Sequence, residues 1–287
     1  MRYIYLGIGS ILAILFIVKL TKGKKYEAMI ENLDSSVFPL NELYGAGFAW
    51  SSGKILKLKG KSAVRLKGQA ALLYEPQYAE YYARVAWAQT ITLVHLFLTV
   101  TFLIAAIMFD SAMFMLSVGI FMSIMVATYC MENMKNTLTK RTEECESQFP
   151  EVVSTMAVLV NSGMVLREAW TMIGESGKGP FYDLMRKATE DMKNGQSDAN
   201  AIFLFGKASN SPEIKKFTSV LVQSMDKGGA ELSGFLAHQS AELWSTKRQH
   251  MLQNGEKAAT KLLLPIVLIF LGIIIIVMTA AFAGSLF

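Results

Sequence analysis

The chain has 287 residues, of which 52% are hydrophobic and only 18% charged, and its mean hydropathy is +0.34. That balance excludes a disordered chain, a coiled-coil rod and a collagen-like fibre, and it argues against a plain soluble enzyme. Two cysteines and three histidines are too few for a disulfide scaffold or a zinc ribbon, so the net charge of +5 matters chiefly through where its cations lie.

Four apolar runs contain no Asp, Glu, Lys or Arg: residues 3–18, 91–109, 112–130 and 262–283. A bilayer core about 30 Å thick needs about 20 helical residues, so each run is long enough or nearly so to span it. The first run lies between Arg2 and Lys19 and lacks a small-residue cleavage signature, which makes it an uncleaved anchor rather than a signal peptide. Only Arg2 precedes it, whereas Lys19, Lys22, Lys24 and Lys25 follow closely. The positive-inside rule then puts both termini outside, with 1 basic residue outside and 27 inside. The expected organisation is transmembrane helix 1 over 1–20, a basic cytoplasmic juxtamembrane region over 21–90, a transmembrane hairpin over 91–130, a cytoplasmic helical domain over 131–261, and a fourth transmembrane helix with a short tail over 262–287.

Residues 21–90 carry 10 basic and 6 acidic side chains. The most basic stretch, KILKLKGKSAVRLKG, begins at Lys54 and includes Lys57, Lys59 and Lys61. It has two readings: cations beside anionic lipid headgroups, or a dock for an acidic partner. Tyr78, Tyr81, Tyr82 and Trp87 lead into the second run, either as an interfacial aromatic belt or as a packing surface for a neighbouring domain. Asp110 occupies the expected outside turn of the hairpin, and His95 sits near the interface end of its span.

Residues 131–261 balance 16 basic against 16 acidic side chains, as a folded domain does. Pro150 is placed near a helix start. Gly163, Gly177 and Gly195 mark helix ends, and Pro180 and Pro212 mark first helical positions. Ser197 and Ser211 are expected caps. Six short helices follow, with no sustained strand alternation. Pro265 is expected to kink the last helix where it meets the membrane. The fold class is therefore an all-α integral membrane protein with four transmembrane helices and a cytoplasmic six-helix bundle.

A search for chemistry finds little. GESGKGP, residues 174–180, lacks the spacing and the preceding strand of a phosphate loop and reads as a turn between helices. His238 and Glu242 share a helix face as a surface pair. Cys130 and Cys145 are expected to be thiols. No catalytic, metal or cofactor site emerges, and a non-enzymatic scaffold is expected. The absence of ionisable residues from the apolar runs counts against a small transporter, and the small outside segments count against a signalling scaffold; these are the alternatives.

From residue 149 onward the chain resembles the type II secretion F-domain family, the inner-membrane platform proteins of type II secretion systems, type IV pili and Tad (Flp) pili. In FPEVVSTMAVLVNSGMVLREAW, Gly163, Leu166 and Ala169 fall on the family's opening G-x-x-L-x-x-A. Gly195 and Ala199 in MKNGQSDANAI fall on its glycine–alanine turn. Gln223 and Gly228 lie in LVQSMDKGGAELSGFL, which resembles the stretch before the last helix, and Pro265 lies in its basic approach to the last span. LYEPQYAEYYARVAWAQ resembles a stretch of Gram-positive single-domain members. The chain departs from the family where MDKGGAE replaces G-E-x-x-G, with Asp226 near the position of the Glu. One F domain instead of two points to the Tad branch.

The resemblance implies a platform in the bacterial inner membrane that couples a cytoplasmic assembly ATPase to pilin insertion into a filament. The partners it implies are that ATPase, a second F-domain platform protein, prepilin and membrane lipids, in a homo- or hetero-oligomer, with no nucleic acid and no cofactor.

Overall fold

A computed structural model describes residues 2–31, 33, 35, 38–53, 56–108, 111–225 and 229–284. Every regular element among them is helical, and the chain divides into two compact units. The first comprises residues 1–144 and 207–212, the second residues 145–206 and 213–287. Four of the helices are long and apolar enough to cross a membrane, and each lies over one of the four apolar runs.

The first unit contains α1 (Arg2–Gly23), the short α2 (Glu27–Ile30), α3 (Tyr44–Ser51), α4 (Gly60–Leu73), α5 (Ala79–Ile107) and the first part of α6 (Ala112–Asn161). In lipid, every backbone polar group must be satisfied within the segment, which is why the apolar runs are helical. The hydroxyls of α5 obey the same constraint. Thr90, Thr92, Thr99 and Thr101 each donate to the carbonyl four residues earlier, at 2.8–2.9 Å.

The juxtamembrane region, read from sequence only as basic, contains α2, α3 and α4. α3 is buried almost throughout, with Tyr44, Gly45, Ala46, Gly47, Phe48 and Ala49 all inside. It packs on α5 through Gly47, whose N–H donates to Thr92 Oγ1 at 3.0 Å. A Cβ at Gly47 would lie 2.1 Å from the Ala88 carbonyl oxygen, so no larger residue fits. Ile30, Phe38, Tyr44, Phe48 and Val85 form the core around it. The aromatic residues before the second span pack on this region. Trp87 Nε1 donates to Leu56 O at 2.8 Å, Tyr81 donates its hydroxyl to Met29 O, and Tyr82 stacks on Tyr74. Only Tyr78 is exposed as a belt residue would be.

The second unit is the six-helix bundle: the last part of α6, α7 (Leu166–Ser176), α8 (Pro180–Lys193), α9 (Asp198–Ala208) up to Gly206, α10 (Pro212–Met225) from Glu213, and α11 (Gly229–Gly284). Each helix gives one aromatic ring to a continuous chain of contacts. Trp170 of α7 meets Phe205 of α9 at 4.9 Å, and Phe205 meets Phe181 of α8 at 5.0 Å. Phe181 meets Phe149 of α6 at 6.0 Å, Phe149 meets Phe217 of α10 at 5.1 Å, and Phe217 meets Phe235 of α11 at 5.6 Å. Full burial of a ring this size stabilises by about 1.5–3 kcal/mol, so this chain is the main cohesive element of the bundle.

One expectation is corrected here. Pro150 does not begin a helix: it is buried inside α6, which runs 50 residues without a break. Proline in a helix interior costs a backbone hydrogen bond. The neighbours Phe149, Val152 and Val153 are buried in the core, so packing overrides the local preference. The last bundle helix and the fourth span form one helix, with Pro265 inside it.

α6 and α11 are joined by a polar seam. Ser233 Oγ donates to Asn161 Oδ1 at 2.9 Å, Ser154 and Ser240 share a hydroxyl hydrogen bond at 2.7 Å, and Lys247 reaches Ser147 O. The positions descend by seven on α6 (161, 154, 147) and rise by seven on α11 (233, 240, 247). That is an antiparallel pair held in one register at heptad spacing.

Candidate functional site

Gly163 and Gly195 end α6 and α8 by the same device. Gly163 has φ +98° and Gly195 φ +96°. Gly163 N donates to Val160 O at 3.0 Å and Met164 N to Leu159 O at 3.1 Å. Gly195 N donates to Met192 O at 3.2 Å and Gln196 N to Asp191 O at 3.0 Å. These are Schellman closures, which need a residue at positive φ and therefore favour glycine. Immediately after the first, Leu166 and Ala169 turn into the core, where Ala169 is fully buried against the helix packing that its small side chain permits. After the second, Ser197 Oγ accepts from Asn200 N and opens α9, with Ala199 half-buried in its first turn. Arg167 and Asp198 pair across these two helix starts, with Nε 2.9 Å from the carboxylate.

The turn at residues 174–180 presents carbonyls rather than N–H groups. Arg186 Nη1 donates to Gly174 O at 2.7 Å and to Gly177 O at 3.0 Å, which caps the end of α7. Across the same turn, Gln148 Nε2 donates to Lys178 O at 3.0 Å and its Oε1 accepts from Phe181 N. A phosphate loop needs the opposite polarity, so this segment is a helix connection.

On α10, burial and the Glu146 carboxylate push the Glu213 carboxyl above its ordinary value; Glu242 adds to this, while His250 and Lys216 oppose it. Glu242 accepts from Gln239 Nε2 at 3.0 Å, so its hydrogen-bond partner is Gln239 and not the expected His238.

A family model for protein F of the type II secretion system matches residues 152–283. Residues 152–283 are an F domain of that family. Comparison with curated proteins and with solved structures gives no match. The F domain thus extends from the bundle through the fourth apolar run, and it covers the capping glycines, the aromatic chain apart from Phe149, and the whole of α11 except its last residue.

The remaining positions suggested by the sequence are scattered. Gln223 is exposed on α10 of the F domain, and Pro265 is exposed on α11. Gly228 and Asp226 lie outside the described residues, as do Asp110 and Lys54. Of the basic stretch, Lys57 and Lys59 precede α4 and Lys61 lies in its first turn; all three are exposed. A cation in the first turn is opposed by the helix dipole, and Arg65 repeats the charge one turn on, beside Val64, which is 75% exposed. Cys130 and Cys145 are buried thiols on α6. His95 Nε2 lies 3.0 Å from Leu12 O, so this ring ties α5 to α1.

Sequence reading missed the polar seam of the bundle and the role of α3. Ser147, Ser154 and Asn161 at sevenfold spacing, matched by Ser233 and Ser240, were a legible signal. The Gly45-Ala46-Gly47 run was another, since three small residues in a row permit close backbone approach.

Proposed function

We propose that the chain is an inner-membrane platform protein of a Tad/Flp-type pilus, or of a related type II secretion or type IV pilus machine, and that it couples a cytoplasmic assembly ATPase to insertion of pilin into a filament. The observation that carries this reading is the F domain at residues 152–283, built on a helix that serves bundle and membrane alike. α11 buries Leu232, Leu236 and Leu243 in the F-domain core and continues unbroken into the run at 262–283. At 1.5 Å per residue its 56 residues extend about 84 Å.

A displacement of the bundle is thereby conveyed to lipid depth by a single rod. The seam to α6 makes that rod a pair. The role is mechanical rather than catalytic, and the chain acts in an oligomer with a second F-domain protein. The distribution of basic residues supports bundle and juxtamembrane region on the cytoplasmic side with both termini outside.

The test is crosslinking in the native cell followed by mild extraction, affinity capture of the full chain and mass spectrometry. Recovery of an assembly ATPase, a second F-domain protein and prepilin is expected. Recovery of the chain alone would overturn the reading.

A further inference from the structure

We propose that the juxtamembrane region holds a specific site for the headgroup of an anionic phospholipid, in a groove of about 380 Å³ walled by Tyr26, Lys57, Lys67, Glu80, Arg84 and Trp87. Its charges are arranged around one carboxylate. Glu80 Oε2 lies 3.1 Å from Lys67 Nζ, and Glu80 Oε1 accepts from Arg84. Glu80 therefore holds two cations from different helices, α4 and α5, side by side. Lys57 adds a third cation and has no ion-pair partner among the described residues. Three cations against one carboxylate leave the groove at +2, enough to receive one phosphodiester and still carry positive charge.

Its depth selects the source of that phosphate. Trp87 lies four residues and Arg84 seven residues before Ile91, where the apolar run of α5 begins. At 1.5 Å per residue these side chains start about 6 and 10 Å beyond the hydrocarbon edge, which is the headgroup layer and its outer margin. Trp87 is fixed there by its hydrogen bond to Leu56 O, and a tryptophan at this depth is a usual interface anchor. Lys19, at the membrane end of α1, is drawn towards the protein, with Nζ 3.3 Å from Ala49 O and 4.5 Å from the Trp50 ring centre. A soluble acidic partner would find a groove open at lipid depth, beside a membrane that already offers phosphate at high local concentration. The site does not depend on the platform role, only on α1 and α5 crossing the bilayer.

The experiment is native mass spectrometry of the full chain in detergent, with added phosphatidylglycerol or phosphatidylcholine. Preferential retention of phosphatidylglycerol is expected. Lys57→Gln should lower that preference about fivefold, the effect of one cation near an anionic headgroup. Lys57 is exposed and unpaired, so this variant leaves the packing intact, and an unchanged thermal melt will show it. Arg84→Gln should act in the same direction, while Lys178→Gln, on the exposed α7–α8 turn, should leave the preference as it was. Equal retention of the two lipids, or an unchanged preference in both groove variants, would overturn the proposal. Displacement of the lipid by excess inorganic phosphate would also overturn it, by making this a site for a soluble anion.

Discussion

Glu213 shows how a single side chain sets a pH dependence. It stands in the first turn of α10, where a negative charge suits the helix dipole, yet burial and Glu146 hold its carboxyl above the ordinary value near 4.5. A carboxyl raised in the folded state contributes stability that is fully present below its unfolded pKa and is lost as pH rises through its folded pKa. At neutral pH the charged Glu213 therefore weakens the bundle. Glu213→Gln should raise the melting temperature at pH 7, leave it near that of the parent at pH 4, and flatten the profile between. Thermal melts of the full chain across that range check this; a lower melting temperature at pH 7 would contradict it. His250, which opposes the shift, could not have been paired with Glu213 from the sequence, because 37 positions separate them and only the bundle brings them together.

At the scale of elements, the seam between α6 and α11 fixes one register out of several that the apolar residues alone would accept. Polar contacts at heptad spacing act in this way because a slip of one turn leaves each of them unpaired. Ser154 is the central member: it bonds Ser240 at 2.7 Å and accepts from Trp244 Nε1 at 2.6 Å. Ser154→Ala should cost about 1–2 kcal/mol, the loss expected when hydrogen-bonding groups lose their partner. A fall in denaturant midpoint without a change in slope checks it, and an unchanged midpoint would contradict it.

Much at this scale was legible. Pro180, Ser197 and Pro212 open helices where their chemistry says, and Gly163 and Gly195 close them. The four spans were legible because no charge interrupts them. What escaped was set by tertiary contact. α3 is eight residues long and buried on all sides, so it has no polar face to reveal a period. Pro150 looked like a helix start because local preference says so, and only the core around Phe149 reverses it.

The whole molecule is a multi-pass membrane protein with an F domain. In the proposed coupling role, the mechanical work falls to its long uninterrupted helices. The capping glycines and the aromatic chain keep the bundle rigid, the polar seam locks α6 to α11, and α11 carries that rigid body into the membrane. Several of the positions singled out by family resemblance have structural places. Leu166 and Ala169 are core, and Gly163 and Gly195 are caps. The resemblance was legible because it resides in these structural residues, whereas the contacts that would identify a motor or a pilin leave no such mark on one chain.

The most direct measurement compares two insertions after Gly255, in the exposed part of α11 between the bundle and the last span. Two alanines turn the span by about 200° relative to the bundle, whereas a seven-residue helical insert returns it to within about 20°. Filament assembly is counted in the native cell, with membrane levels and the melt of the extracted protein as controls. A coupling rod predicts that assembly is lost with two alanines and regained, at least in part, with seven residues, while both proteins remain folded and inserted. Normal assembly with the two-alanine insertion would contradict the coupling account.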